Sequence, residues 1–382
     1  MDPIKDEFDW QTSVHLVGGH AEFPPSKLEQ FEACPLSWKL SQGIHAEESE
    51  AAREGTLLHR LVAFRIADCL YPEAEKDFTT EQLELADACV AAYNEIRAAY
   101  PDCTTAVEES LALFAEDRSV LTWGTADCFG VGKSSGFVID FKFGFNPVTH
   151  PSRNLQILTY AAALCQRFNL NEVECWIVQP RLNRKINYTF NFTELGAIFI
   201  RHVAGVISRC KDSDPEMHPG EKQCRYCPAK GVCEGMRKEL DAVATVASKP
   251  HDLAAMDIHD LVRFYEAGKT VSLFIDSINE EFRKRLEVAP FDGYELKRTG
   301  GGFKCPSPAV VFDRLQDVLT PSQMIGCCTC TLTKVKAAYA DAAVAQGLYK
   351  SKKAAAEAVQ EELADVLVPN AERVSIVKIE KE

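Results

Sequence analysis

Gly124-Thr-Ala-Asp127, Val138-Ile-Asp140-Phe-Lys142 and Gln156-Ile-Leu-Thr-Tyr160 follow one another in a single stretch, and that stretch decides how the chain is read. Trp123 to Val131 and Gly136 to Phe143 are rich in β-branched and aromatic residues. Gly132-Lys-Ser-Ser-Gly136 between them reads as a turn, so the pair predicts a hairpin. Asp140 and Lys142 are two residues apart and project from one strand face, which leaves Ile139 and Phe141 to face apolar packing. Asp127, on the partner strand, falls within reach of Asp140. Two carboxylates that close repel unless a cation sits between them, and hard oxygen ligands suit Mg²⁺ or Mn²⁺. Lys142 beside such an ion can orient a water and offset charge building on a phosphate. An isolated Asp-x-Lys fits the exposed ion pair of a surface hairpin equally well, so the neighbouring motifs carry the weight.

Downstream, Leu155 to Phe168 has helical periodicity and sets Gln156 and Tyr160 one turn apart on one face. Glu172 to Gln179 reads as a strand ended by Pro180, and Thr193 to Lys211 as a helix. Upstream, Val107 to Phe114 resembles a first strand. The order β, β, β, α, β after two or more helices predicts an α/β core with a mixed central sheet. Ser26-Lys-Leu-Glu29 has the spacing of a capping box that opens the first helix. Glu47 to Leu70 predicts a longer helix, stopped by Tyr71-Pro72. Gly55 inside it costs roughly 1 kcal/mol relative to Ala, which points to close packing or a bend. His59 on the same helix fits a satisfied core histidine or a ligand. Phe78 to Tyr100 predicts a further amphipathic helix.

The chain has 382 residues, a hydrophobic fraction of 46% and no apolar run long enough to span a bilayer, so a membrane protein is not expected. Met1-Asp-Pro-Ile-Lys-Asp-Glu lacks the basic and apolar regions of a signal peptide, which predicts a cytoplasmic protein. Fifteen cysteines in that compartment argue for core residues and metal ligands rather than disulfides. Net charge is -14, but residues 1–140 carry 10 Lys and Arg against 26 Asp and Glu, and residues 141–240 carry 14 against 9. The second segment can supply a local basic surface for phosphates through Arg153, Arg181, Arg184 and Lys185, with Arg167, Arg201 and Arg209 nearby. Ordinary solvated charge is the bland alternative.

Cys224-x2-Cys227-x5-Cys233 places three thiolates within reach of one metal centre. A fourth ligand is needed, and Cys210 and His218 are the nearby candidates. The chain is expected to divide into a first domain, 1–240, and a helical extension, 241–382. Within the extension, Asp257 to Leu286 and the Ala-rich residues 333–364 predict helices. Tyr294 to Lys304 places basic residues around a glycine turn, and Cys327-Cys-Thr-Cys330 reads as packing, since adjacent cysteines chelate poorly.

Together these motifs resemble the PD-(D/E)XK nucleases of the RecB and AddB type. Gly124-Thr-Ala-Asp127, Asp140-Phe-Lys142 and Gln156-x3-Tyr160 match that family's acidic, Asp-x-Lys and Gln-x3-Tyr motifs in order and spacing. The resemblance implies a metal-ligand role for His59. It also joins Cys34, far upstream, to Cys224, Cys227 and Cys233 as a split set holding a [4Fe–4S] cluster. A closer likeness is to a phage-associated branch of the superfamily, a domain of unknown function. Glu47-Glu-Ser-Glu-Ala-Ala-Arg-Glu-Gly-Thr-Leu-Leu-His59, Val138 to Gly144, Val178-Gln-Pro-Arg181 and Cys224-Arg-Tyr-Cys-Pro-Ala-Lys230 carry that likeness. The proline of the nominal "PD" is absent, since Gly-Thr-Ala precedes Asp127.

The resemblance implies Mg²⁺- or Mn²⁺-dependent hydrolysis of DNA phosphodiesters, with exonuclease work beside a single-strand annealing or single-strand DNA-binding protein. His59, Asp127, Asp140 and the Phe141 carbonyl would bind the ion. Lys142 would position the nucleophile, and Gln156 and Tyr160 would orient Lys142 and the DNA backbone. Two rival readings stand beside it. One is an inactive nuclease fold that binds nucleic acid or protein, and the other is a regulator with Zn²⁺ at the four cysteines. Polarity, strand preference and oligomeric state are not encoded in these residues.

Overall fold

The computed structural model describes residues 21–44, 49–67, 78–247, 253–289 and 332–362, with residues 294, 296, 321 and 325 between them. The expectations for the first twenty residues, for Tyr71-Pro72, for most of 294–304 and for Cys327 to Cys330 lie outside the described residues. The first of two compact units spans Met1–Gly300 and the second Gly301–Glu382. The boundary thus falls later than the expected 240. Helix α8 (Glu234–Ala247), which spans that point, and α9 (Ile258–Val288), which follows it, belong to the first unit. In the second unit, α10 (Leu332–Ala345) and α11 (Lys352–Glu362) pack through Ala340, Ala343 and Ala355. Gly347, at φ 72°, divides what reads in sequence as one Ala-rich helix.

The first unit opens with α1 (Leu28–Ala33), α2 (Leu36–Ser41), α3 (Glu50–Ile66) and α4 (Thr80–Ala98). The Ser26/Glu29 capping box does not form. Pro24 and Pro25 start a 3-10 turn instead, and the Glu29 carboxylate accepts a hydrogen bond from the Thr149 hydroxyl at 2.7 Å. The side-chain caps sit at Ser49, which accepts from Ala52 N, and at Thr79, whose reciprocal bonds with Gln82 complete a true capping box. A Cβ on Gly55 would meet nothing within 4 Å, so no close packing requires that glycine.

The sheet then runs β1 (Thr104–Phe114), β2 (Val120–Val131), β3 (Ser135–Phe141), β4 (Glu172–Gln179) and β5 (Arg184–Asn191), with spatial order identical to chain order. The first three form an antiparallel meander. The crossover helix α5 (Leu155–Phe168) makes β4 parallel to β3, and β5 returns antiparallel at the edge. This is a mixed α/β fold with a five-stranded mixed sheet between helices, and β5 is a strand beyond those expected. Asn154 caps the start of α5 by accepting from Ile157 N, and Asn169 ends it in the left-handed conformation at φ 55°. After the sheet come α6 (Phe192–Cys210) and the short α7 (Glu221–Arg225).

The period of two along β3 divides the core. Val138 packs with α5, α6 and α1 on one face, through residues such as Ile157, Ala161, Val203 and Leu28. Phe137, Ile139 and Phe141 pack on the other against Leu58 and Leu61 of α3 and Cys89 and Tyr93 of α4. Each fully buried Leu or Phe contributes roughly 1.5–3 kcal/mol, so both layers are held firmly to the strand that carries Asp140.

Candidate active site and cysteine pocket

The β2–β3 ladder ends at the pair Cys128/Ile139. One step further along that register sets Asp127 against Asp140, and there the strands part. The Phe141 amide donates to Asp127 Oδ2 at 2.6 Å, so a side-chain carboxylate replaces the missing ladder acceptor. The Lys142 amide still bonds to Val178 O at 2.9 Å, keeping β3 on β4. A notch therefore opens between β2 and β3 while its floor stays fixed.

Asp140 is 2% exposed. Lys142 Nζ straddles its carboxylate at 3.0 Å from Oδ1 and 2.9 Å from Oδ2, and donates also to Gln156 Oε1 at 2.9 Å. Asp140 Oδ2 is buried and, with Lys142 Nζ 2.9 Å away as an ion-pair contact, accepts no well-aligned hydrogen bond. Burial raises the Asp140 pKa; Lys142 opposes this and Asp127 adds to it, and the net shift is upward. Burial works to lower Lys142, but Asp140 and Asp127 outweigh it and the ammonium is retained. Gln156 and Tyr160 lie one turn apart on α5, and of the two it is Gln156 that holds Lys142. A Cβ on Gly124 would lie 3.0 Å from the Tyr160 hydroxyl and 3.1 Å from the Pro25 ring, so the site needs glycine there.

His59 of α3 reaches the notch from the other side, with Nδ1 3.3 Å from Asp127 Oδ1 and its ring edge-on to Phe143 at 5.0 Å. Burial pulls its pKa down, but the charge and hydrogen bond of Asp127 outweigh burial and raise it. Glu108 is the residue that sequence reasoning missed. Ligand atoms of His59, Glu108 and Asp127 all lie within 4.8 Å of one another. Glu108 sits in β1 at φ 50°, between the pairs Val107/Cys128 and Glu109/Ala126, so the unbroken register sets it opposite Asp127. That conformation costs a non-glycine residue on the order of 1 kcal/mol or more, strain of the kind found at functional sites. Glu108 is an exposed residue, and its carboxyl pKa is raised, by partial burial first and by Asp127 second. Its place opposite Asp127 follows from the β1–β2 register, which the sequence alone does not fix. One imidazole and several carboxylates suit Mn²⁺ or Mg²⁺.

Cys34, Cys224, Cys227 and Cys233 line one pocket with Leu36, Met217 and Met236. Cys34 ends α1, and the other three lie on and after α7, so the pocket joins segments far apart in the chain. Backbone amides of His218 and Gly220 donate to the sulfurs of Cys34 and Cys224 at 3.4 and 3.3 Å. The Leu36 amide bonds to Glu216 O at 3.0 Å and fixes the join. Of the alternative fourth ligands, His218 bonds through Nε2 to Glu216 at 3.0 Å, and Cys210 is buried at the end of α6. Among the described residues the trio at His59 is the one group of three such ligands found within 4.8 Å of one another.

A family of proteins of unknown function, DUF2800, matches residues 20–298. The chain belongs to that family. The DUF2800 match takes in the sheet, the notch and the cysteine pocket and stops near the end of the first unit. A solved crystal structure, that of SSO0001, is 14% identical over 55% of this chain and 84% of its own, with a TM-score of 0.29. A likeness that weak constrains neither fold nor function.

The basic residues expected on a phosphate surface are largely engaged elsewhere in this DUF2800 chain. The Arg181 side chain, 6% exposed, is gripped by Glu54 at 2.9 Å and Glu81 at 2.7 Å. Arg184 donates to Val148 O and Gln179 Oε1, both at 2.8 Å, and Lys185 pairs with Glu95 at 2.5 Å. Arg167 pairs with Glu109, and Arg201 with Glu116. The positive segment therefore answers the acidic one before it, and burial removes Arg181 from reach of a phosphate. Arg153 is exposed at the end of the short turn before α5. Among the described residues no helix is long and apolar enough to cross a membrane.

Proposed function

We propose that the chain is a Mg²⁺- or Mn²⁺-dependent deoxyribonuclease of the PD-(D/E)XK type, RecB/AddB-like, that hydrolyses phosphodiester bonds as an exonuclease. One observation carries this reading: three potential ligands, His59, Glu108 and Asp127, converge in the notch where the buried Asp140–Lys142–Gln156 chain ends. His59, Glu108 and Asp127, with Asp140 beside them, would hold a divalent ion, which would supply an activated water and charge neutralisation at the phosphate. The Phe141 carbonyl joins this ligand set as a proposal, since the group engaged at the site is the Phe141 amide. Lys142 carries the permanent charge that meets the developing negative charge on the phosphate, and Gln156 with Tyr160 keeps it in place. Asp127 holds the His59 imidazole with Nδ1 toward the notch.

The cysteine pocket takes a [4Fe–4S] cluster in the same reading. Four cysteines from separated segments line this one pocket, and amide donors at Cys34 and Cys224 suit the thiolates of such a cluster. The role of the pocket is structural, clamping α1 to the segment around α7. The phage-type setting and a single-strand annealing or binding protein as partner complete the proposal.

The experiment uses linear, end-labelled and circular DNA with Mg²⁺ or Mn²⁺, and anaerobically purified wild type and Lys142→Ala. Loss of linear DNA with wild type alone, circles spared, is the expected result. Protein with confirmed iron and sulfide that cleaves nothing defeats the enzyme reading and leaves a binding fold.

A further inference from the structure

Phe145 lies three residues beyond Lys142 and is 71% exposed, in a loop whose neighbours are tightly held. Phe143 is buried against His59. Gln179, itself fully buried, donates to Asn146 O at 3.0 Å and accepts from Val148 N at 3.2 Å. The backbone on both sides of Phe145 is thereby fixed. One face of its ring lies against the Arg181 guanidinium, whose centre is 4.6 Å from the ring centroid. That guanidinium cannot move away, because Glu54 of α3 and Glu81 of α4 hold it, and Gln82 braces Glu54 at 3.0 Å. A ring this exposed with one face covered has its other face open. Leaving an aromatic ring in water wastes the stabilisation its burial provides, yet this ring is held out by a purpose-built support.

We propose that Phe145 is a stacking platform for a nucleobase of a single-stranded end whose phosphate occupies the Lys142 notch. The inference rests on the nuclease reading and adds how that site grips its substrate. Three residues span at most about 10 Å, which brings the ring within reach of a nucleotide adjoining the phosphate. Every base has a π-face, so such a platform tolerates any sequence. The cation behind the ring strengthens the support and keeps its orientation. Affinity of this kind also fits a surface whose basic residues are mostly paired with neighbouring acids, since stacking supplies part of the binding that free lysines and arginines supply elsewhere.

The test measures binding of a fluorescent single-stranded oligonucleotide to the full chain in chelator, so cleavage plays no part. A matched oligonucleotide with abasic terminal nucleotides is the second probe. Phe145→Ala is expected to weaken binding of the first probe by roughly five- to 150-fold, and Phe145→Trp to retain it. The abasic probe should bind wild type and Phe145→Ala equally weakly. Melting temperatures report folding, which an exposed ring should not affect. Equal binding by wild type and Phe145→Ala overturns the platform, as does an equal loss on the abasic probe. In a separate assay with Mg²⁺, cleavage of linear DNA by wild type together with equal oligonucleotide binding by wild type and Phe145→Ala overturns the platform alone, whereas wild type that neither binds the oligonucleotide nor cleaves DNA overturns both readings.

Discussion

Lys142→Met tests the electrostatic logic of the notch without any substrate. The substitution keeps most of the side-chain volume and removes the charge that meets Asp140 at 2.9 Å. Removing one partner of a buried ion pair costs about 3–5 kcal/mol, because the other charge stays behind uncompensated. The Lys142 side chain is 26% exposed, so water offsets part of that, and about 2–3 kcal/mol is expected. For a unit of this size the loss corresponds to a fall in Tm of roughly 4–8 °C. The pH dependence has a definite sign. Asp140 has a folded pKa raised above 3.8, so its ionisation burdens the folded state more than the unfolded one. The stability tied to its neutral form is complete at acid pH and is lost as pH rises through the folded value. In the wild type Lys142 opposes that rise; without it the folded pKa climbs further and the loss extends toward neutrality. Lys142 has its own pKa raised above 10.5, so its contribution is present throughout that range and disappears only in strong alkali. Urea denaturation followed by tryptophan fluorescence, in chelator at pH 5 to 8, reads both effects. Asp140→Asn combined with Lys142→Met should recover most of the stability and flatten the pH profile. Equal stability of wild type and Lys142→Met across that range, or a double variant no better than the single, refutes the reasoning.

Glu108→Gln should weaken Mn²⁺ binding about tenfold or more by calorimetry while leaving the metal-free protein at least as stable, since it removes repulsion from Asp127. Unchanged Mn²⁺ affinity would remove Glu108 from the ligand set. Gly124→Ala places a methyl 3.0 Å from the Tyr160 hydroxyl and 3.1 Å from Pro25, and should cost about 1–3 kcal/mol in thermal denaturation. Adding Tyr160→Phe should restore part of that, and a fully stable Gly124→Ala would show that the contact yields freely. Cys34→Ser should abolish the iron, sulfide and visible absorption of anaerobic protein, whereas Cys210→Ser should retain them. The reverse pattern would place the fourth ligand at Cys210.

Legibility in this sequence followed the distance over which each feature is decided. The helix α5 and the strand β4 read correctly to the residue, because Asn154, Asn169 and Pro180 mark their ends locally. The edge strand β5 carries a clear alternation, with Lys185, Asn187 and Thr189 exposed and Phe190 buried, yet its polar half reads as a basic patch. One oversight produced two errors, since Arg184 and Lys185 are strand and loop braces for the same reason that 184–191 is a strand. Arg181 could not be placed from sequence, because Glu54 and Glu81 lie in helices a hundred residues and more upstream. Glu108 is the sharper case. Propensity identifies β1 as a strand but carries no sign of which glutamate stands opposite Asp127, and that is decided only when the register with β2 brings Asp127 alongside. Asp140, Lys142, Gln156 and Tyr160 were legible because their spacing within adjoining elements nearly determines their geometry. His59, Glu108 and Arg181, each from a different element, depend on how three layers pack. Side chains carried by a strand and its crossover helix are therefore legible early, and those that other elements bring to them become legible only once the chain is folded.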